Sequence, residues 1–328
     1  MAAVPSPSDD AERVPGLDPV ALARWHARTP TNSPWLHETV GARMVQRLSW
    51  IKAQPRAWIH WSPLLGGEQA HQAVVQHSPQ APVWLAGEGA AAAWQRWQPA
   101  PPRWWQRWGR RADRDAAASP WGALAGVLAP GDFPSAPVDM VWANMALHTQ
   151  VAPRARLRQW RDWLAVDGFL MVSGLGPDTL RELRAVHAAH GWPDPAPAFV
   201  DMHDWGDLLV ETGFAEPVMD MERLTLTYPS AERLLADLRA SGRNWRVDRF
   251  PGLRGRGWYA RWLQAVERGL PRTAEGHLCL TIEVVYGHAW RPAPRALVRG
   301  TTAVPLEQLR AMLQRSAGAG RDPAGGRG

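Results

Sequence analysis

The stretch that decides the fold is VDMVWANMALH at residues 138–148, followed after one helical segment by DGFLMVSGLGPDTLRELR at residues 167–184. Val138-Asp139-Met140-Val141-Trp142 is a short apolar run of the kind that forms a buried parallel strand. Residues 154–164 then place Leu157, Trp160, Trp163 and Leu164 at helical spacing, and Asp167-Gly168 closes that helix. Phe169-Leu170-Met171-Val172-Ser173 reads as a second apolar strand. After it, Pro177 suits a first helical turn, with Asp178 and Glu182 near the amino end of a helix reaching about residue 190. Strand, helix, strand, helix at this spacing predicts a doubly wound α/β domain, with 138–142 and 168–173 in adjacent or near-adjacent inner strands. Such sheets bind ligands beyond the carboxyl ends of their strands, so Asn144 and the 173–176 loop should border any site.

Working outward, FVDMHDWGDLLVETGFAEPVMDMERLTLTYPS at 199–230 predicts a helix running to Thr212 and capped by Gly213. A sixth strand follows, built from residues 217–221 and 224–228. Ser230 is placed to cap a helix over 231–240 that Gly242 stops, and 278–286 forms the last strand. Towards the amino terminus, residues 19–52 read as helical, with Leu22, Trp25, Trp35, Leu36, Val40, Met44 and Leu48 as the apolar positions.

These blocks, with LTIEVVYGHAWRP at 280–292, resemble the class I S-adenosylmethionine (SAM) methyltransferases. Within that class they are similar to the malonyl-acyl-carrier-protein O-methyltransferases of biotin synthesis. Mitochondrial complex I assembly factors share the later blocks. The resemblance covers residues 20–292 or so and implies a mostly parallel seven-stranded sheet with a helical lid insert at about 230–275. The domain would span 19–315, between proline- or glycine-rich, disordered ends at 1–18 and 316–328. It also implies SAM as cofactor and a malonyl-bearing acyl carrier protein as partner.

One region departs from the family pattern. There the first strand ends in an acidic residue and a loop of the form D-x-G-x-G-x-G, whose glycines let the backbone approach the cofactor. This chain reads PRAWIHWSPLLGGE at 55–68. His60 takes the acidic position, Ser62 and Leu64 replace glycines, Pro63 removes an amide donor, and Gly66 survives. The second strand, 83–86, should end in an acid for the ribose hydroxyls, yet Gly87 stands there and Glu88 follows one residue late. Only a loop conformation would turn Glu88 back to the site. Gly66, Glu88 and Asn144 are therefore the candidate cofactor-binding residues. The family's entry segment carries a tyrosine near the substrate, and the equivalent place, around Thr29, has none.

The family chemistry needs no catalytic base, because a malonyl carboxyl with a pKa of about 4 is already an anion at neutral pH. It needs alignment and a cation that selects the carboxylate. Arg181, Arg184 and His203 are the candidate substrate-binding residues, and His203 with Asp204 reads equally as an acid/base pair or as a structural motif holding the lid to the core. Two readings stay open: a SAM-dependent carboxyl methyltransferase, and a degenerate member that keeps the fold without SAM and serves as a binding or assembly factor. A third, nucleic-acid binding through the tryptophan- and arginine-rich stretch at 94–114, has a plainer rival in a proline-broken surface insert.

Composition sets the outer limits. The 328 residues, 45% of them hydrophobic, can bury one large α/β core. The net charge of +6 comes with a single lysine, Lys52, so the arginine excess reflects a compositional bias more than an anionic partner. The single cysteine, Cys279, excludes an internal disulfide and a cysteine-based metal cluster, and its alternating surroundings make it a strand residue. No apolar run reaches the roughly 18 residues of a membrane span, which makes a cytoplasmic protein the expectation.

Overall fold

A computed structural model of the chain describes residue 14 and residues 16–28, 32–98, 119–294 and 307. The chain divides into two compact units, Met1–Pro292 and Ala293–Gly328, and the sheet with its cavities lies in the first. Seven strands form the sheet: β1 (Trp58–Trp61), β2 (Val83–Ala86), β3 (Leu124–Leu128), β4 (Val138–Ala143), β5 (Leu164–Leu175), β6 (Ala215–Tyr228) and β7 (Leu278–Trp290). Their order is β3-β2-β1-β4-β5-β7-β6, parallel throughout except where β7 runs antiparallel between β5 and β6. This is the doubly wound, mostly parallel seven-stranded sheet of the class I methyltransferase type. The two stretches that led to it, 138–142 and 168–173, are neighbours, with Met140 opposite Phe169 and Trp142 opposite Met171.

The central strands are apolar on both faces because both faces are covered by helices. On one face α2 (Trp35–Leu48), α3 (Glu68–His77) and α4 (Ala90–Trp97) pack against Trp58, Met140 and Trp142. The same layer continues through α6 (Arg181–Ala189), α8 (Ala231–Ser241) and α9 (Arg256–Gly269). The opposite face holds α5 (Pro153–Trp163) and α7 (Met202–Glu211), whose Trp160, Trp163 and Trp205 meet Ile59, Trp61 and Val141. A short entry helix, α1 (Pro19–His26), is capped by Asp18 and packs Leu22 against Trp245 of the segment between α8 and α9.

The sixth strand is one unbroken run, Ala215–Tyr228, and the last continues past 286 to Trp290. Three further boundaries differ from the sequence reading, each for a local reason. The 19–52 stretch is two helices, because Pro34 cannot continue a helix begun upstream and instead precedes the first turn of α2. The helix expected from Pro177 opens at Arg181, after Leu180 in a left-handed turn with φ of 62°. Residues 176–180 are held to β7 instead: Asp178 N–H donates to the Glu283 carboxylate at 2.6 Å, and Thr179 Oγ donates to the Glu283 carbonyl at 3.0 Å. The second apolar strand also starts earlier, at Leu164, running through Asp167 at φ of 62°. The turn chemistry at 213 and 230 is as read, with Gly213 at φ of 90° and Ser230 Oγ accepting from Arg233 N–H at 3.4 Å.

Candidate functional site

The carboxyl ends of β1, β2 and β4 converge on a run of three cavities. A crevice of about 720 Å³ is bordered by α1, Glu88 and the amino end of α5. Next to it lies a throat of about 20 Å³ between Ser62, Leu65, Asn144 and Trp245, sharing His26 and Thr149 with the crevice. A third cavity of about 390 Å³ lies between α6, α8, the 242–258 segment and the edge of β7. Throat and third cavity share five residues: His37, Met145, His148, Ser241 and Trp245.

The loop after β1 takes a form the glycine-rich pattern does not predict. Ser62, at φ of 51°, accepts at its carbonyl from Leu65 and Gly66 N–H at 3.0 and 2.7 Å, closing a tight turn. Leu64 points into the core with 1% of its surface exposed. Gly66 is required by close packing, since a Cβ there would lie 2.8 Å from His60 Nε2 and 3.2 Å from the Ser62 carbonyl. His60 itself is buried in a cluster with Trp58, His71 and Trp97. His71 Nε2 donates to the Trp121 carbonyl at 3.2 Å, so its Nδ1 accepts from His60 Nδ1 at 2.9 Å. Burial and then the neighbouring His71 push the His60 imidazole well below its ordinary range, which keeps the pair neutral. An acid at this position would be an unpaired charge among indoles, and histidine avoids that cost.

The amino end of α3, which opens just after the loop, already holds an anion. The Glu38 carboxylate of α2 accepts from the N–H groups of Glu68 at 2.8 Å, Gln69 at 3.1 Å and Ala70 at 3.2 Å. Glu38 thus fills the place where a ligand anion would otherwise meet the helix dipole.

Glu88 reaches the site through the loop conformation that its late position demands. Gly87 and Gly89 both stand at φ of 75°, and the Trp61 ring fills the space where a Gly87 Cβ would be, 2.8 Å away. The carboxylate accepts from Ser62 Oγ at 2.6 Å and faces His26 Nδ1 at 3.4 Å. Burial would raise its pKa, but His26 and the Ser62 hydroxyl outweigh burial and hold it at about 2. Asn144 is buried at the throat, its Nδ2 donating to the carbonyls of His37 and Gly66 at 2.8 and 2.7 Å. Its Oδ1 accepts from Ser173 Oγ at 2.7 Å, which joins β4, β5, α2 and the loop in one network.

The structure brings Glu88 and Asn144 to the crevice and throat and sets Gly66 behind the throat wall. It places Arg181, Arg184 and His203 elsewhere. Arg181 is exposed and paired with Glu182. Arg184 donates to the carbonyls of Thr179, Ala196 and Pro197 and so pins the 193–197 turn. His203 is 79% exposed and bonded to Asp201, the cap of its own helix. None of the three lines a described cavity.

The cations lining the third cavity are Arg239, Arg243, Arg249 and Arg254, and the throat histidines are His26, His37 and His148. Sequence reasoning missed them because 239–254 joins two helices without a repeating pattern, and lone histidines carry no spacing signal. Of the tryptophan- and arginine-rich stretch, residues 99–114 lie outside the described residues. Trp97 is buried and stacks on Trp121 at 4.5 Å with the rings 1° from parallel. Among the described residues no group of three or more histidines, cysteines or acids is placed to hold a metal ion, and no helix is long and apolar enough to cross a membrane.

No family model matches the chain. The malonyl-[acyl-carrier protein] O-methyltransferase of Laribacter hongkongensis is 46% identical over 162 residues, covering 49% of this chain and 54% of that protein. Its counterpart from Gallionella capsiferriformans is 48% identical over 159 residues, covering 48% and 54%. The chain therefore spans about half the length of these two relatives. The counterpart from Nitrosospira multiformis is 35% identical over 268 residues, covering 80% of this chain and 85% of the relative.

Proposed function

The chain belongs to the malonyl-[acyl-carrier protein] O-methyltransferase family, and on that premise we propose that it transfers a methyl group from SAM to the free carboxyl of a malonyl thioester carried on an acyl carrier protein. The observation that carries this reading is the order of the cavities: a crevice bordered by Glu88, a throat, and a second, smaller pocket whose walls include Leu183, Leu235, Trp258 and Ile282. A cofactor on one side and an acyl chain on the other would meet where the throat opens.

The residues present fit SAM at the crevice. A carboxylate has about four lone-pair directions, and Glu88 uses one on Ser62 and turns another towards His26, which leaves acceptors for ribose hydroxyls. Leu64 does not obstruct this place because its side chain is in the core. Asn144 acts on the loop, fixing the Gly66 carbonyl, and Gly66 keeps the loop close to β1. Because Glu38 closes the amino end of α3, a methionyl carboxylate would be held by other loop groups. Bound there, SAM supplies a methyl group on a sulfonium, and its transfer to a carboxylate oxygen leaves the C–S electron pair on sulfur, so no protein base is called for.

The throat has room for about one water molecule, so the 241–245 segment or α1 must yield for substrate and cofactor to meet. In this reading the 230–275 insert is the lid. Arg239, Arg243 and Arg254 give the third cavity a basic border suited to an acidic carrier protein. Arg254 lies over the rings of Phe250 and Trp258 at 4.5 and 4.0 Å and meets no carboxylate among the described residues. A cytoplasmic setting goes with this role. The test is a calorimetric titration with SAM, followed by transfer of labelled methyl to malonyl carrier protein. Micromolar binding and a base-labile labelled ester are expected. Neither binding nor transfer would instead support a family member that keeps the fold as a binding or assembly factor.

A further inference from the structure

We propose that the Nε2–H of His148, seconded by the indole N–H of Trp245, positions the substrate's free carboxylate at the mouth of the throat. The inference rests on the methyltransferase reading above and assigns the group that selects a carboxyl-bearing acyl chain. Of the five residues shared by throat and third cavity, Trp245 has an orphaned indole N–H, and the one hydrogen bond of the His148 ring among the described residues is at Nδ1.

The tautomer of His148 follows from its neighbours. Leu175 N–H donates to His148 Nδ1 at 3.3 Å, so Nδ1 is an acceptor and the ring proton sits on Nε2, which has no partner among the described residues. Burial, then His37 and His26, hold the imidazole at a pKa of about 3, so it carries only that one proton at neutral pH. His37 has the opposite arrangement: its Nδ1 donates to the Leu65 carbonyl at 2.7 Å, leaving Nε2 as an acceptor that would repel a carboxylate. The His148 ring is fixed by Phe199, edge-on at 5.8 Å, and by Trp245, roughly parallel at 6.2 Å. Trp245 is buried at 4% exposure, and its Nε1 has no hydrogen-bond partner. The indoles of Trp58, Trp142, Trp160 and Trp205 are orphaned too, but they lie in the core, whereas Trp245 lines both the throat and the third cavity.

Neutral donors suit this reaction better than a guanidinium. The carboxylate loses its charge as the ester forms, so an arginine paired to it would stabilise the ground state more than the transition state. Three arginines near the cavity are already committed to partners, while Arg239 and Arg254 stand on its border. Arg184 is spent on three carbonyls, Arg249 on Asp18 and the Arg246 carbonyl, and Arg243 on the carbonyls of Arg239 and Gly242.

The experiment compares binding of malonyl-pantetheine and acetyl-pantetheine to the full chain, with SAM binding and thermal melting measured on the same samples. The wild type should prefer the malonyl compound. His148→Phe should reduce that preference about ten- to a hundredfold while leaving acetyl-pantetheine and SAM binding unchanged, and His148→Gln, which keeps an N–H donor, should restore most of it. Trp245→Phe should lower the preference about five- to tenfold and provides a second reading should His148→Phe not fold. An unchanged preference in these variants, or none in the wild type, overturns the proposal. Failure of the wild type to bind SAM would count against the methyltransferase reading alone, because the acyl preference is read without cofactor.

Discussion

Leu64 shows how one residue can look like damage in a sequence and act as packing in a fold. A leucine in place of a loop glycine suggests a blocked cofactor, but its side chain is 1% exposed and lies against Gly89 on the core side. Returning it to glycine should therefore not tighten SAM binding. Removing a buried leucine side chain costs about 2 to 5 kcal/mol, and glycine adds backbone freedom to that. Urea denaturation of Leu64→Gly should show a loss in this range, with calorimetry showing no gain in SAM affinity. A stable variant that binds SAM more tightly would mean that Leu64 obstructs the crevice after all. Gly66 behaves in the opposite sense: alanine there would meet His60 Nε2 and the Ser62 carbonyl, and Gly66→Ala should lower the melting temperature.

At the scale of elements, the most consequential contact is the Glu38 clamp between α2 and α3. One carboxylate caps three amides of a helix that follows a β-loop, and it does so from a helix distant in sequence. Close approach of the two helices depends on Gly41, where a Cβ would lie 2.4 Å from Ala70 Cβ. Glu38→Ala should cost about 1 to 2 kcal/mol, as for loss of a strong amino-terminal cap, and Glu38→Gln should recover part of it. Thermal melting of the two variants checks the order. The capping residue of α8 was legible in the sequence because Ser230 immediately precedes its helix. The cap of α3 was not, because Glu38 lies 30 residues before the amide it serves.

Across the whole molecule, buried imidazoles set the response to acid. His37 and His71 are held at about 4 and His148 at about 3, in each case by burial first. A histidine in the unfolded chain titrates near 6.5, so between that value and about 4 the unfolded state binds more protons than the folded state. Stability is then complete above pH 6.5 and falls as pH drops through this window, by up to about 1.4 kcal/mol per pH unit for each such histidine. Chemical denaturation at pH 7, 6 and 5 should show the decline, and His71→Gln should flatten it. A constant free energy of unfolding over that range would contradict the burial of these rings.

The sequence by itself determined the sheet, the position of β4 and β5 at its centre, the caps at Gly213 and Ser230, and the place of Asn144 just beyond the carboxyl end of β4. Those features rest on local periodicity, turn chemistry and the carboxyl-edge rule, all of which act within a few residues of chain. Only the tertiary structure decided that Leu64 turns inward, that two left-handed glycines bring Glu88 back to Ser62, and that Arg184 is spent on three carbonyls. It also decided that His37, His148 and Trp245, from three distant segments, meet at the throat. Side-chain direction, burial and the partner left over for each donor depend on what the rest of the chain packs against that point, and no local pattern of residues carries that information.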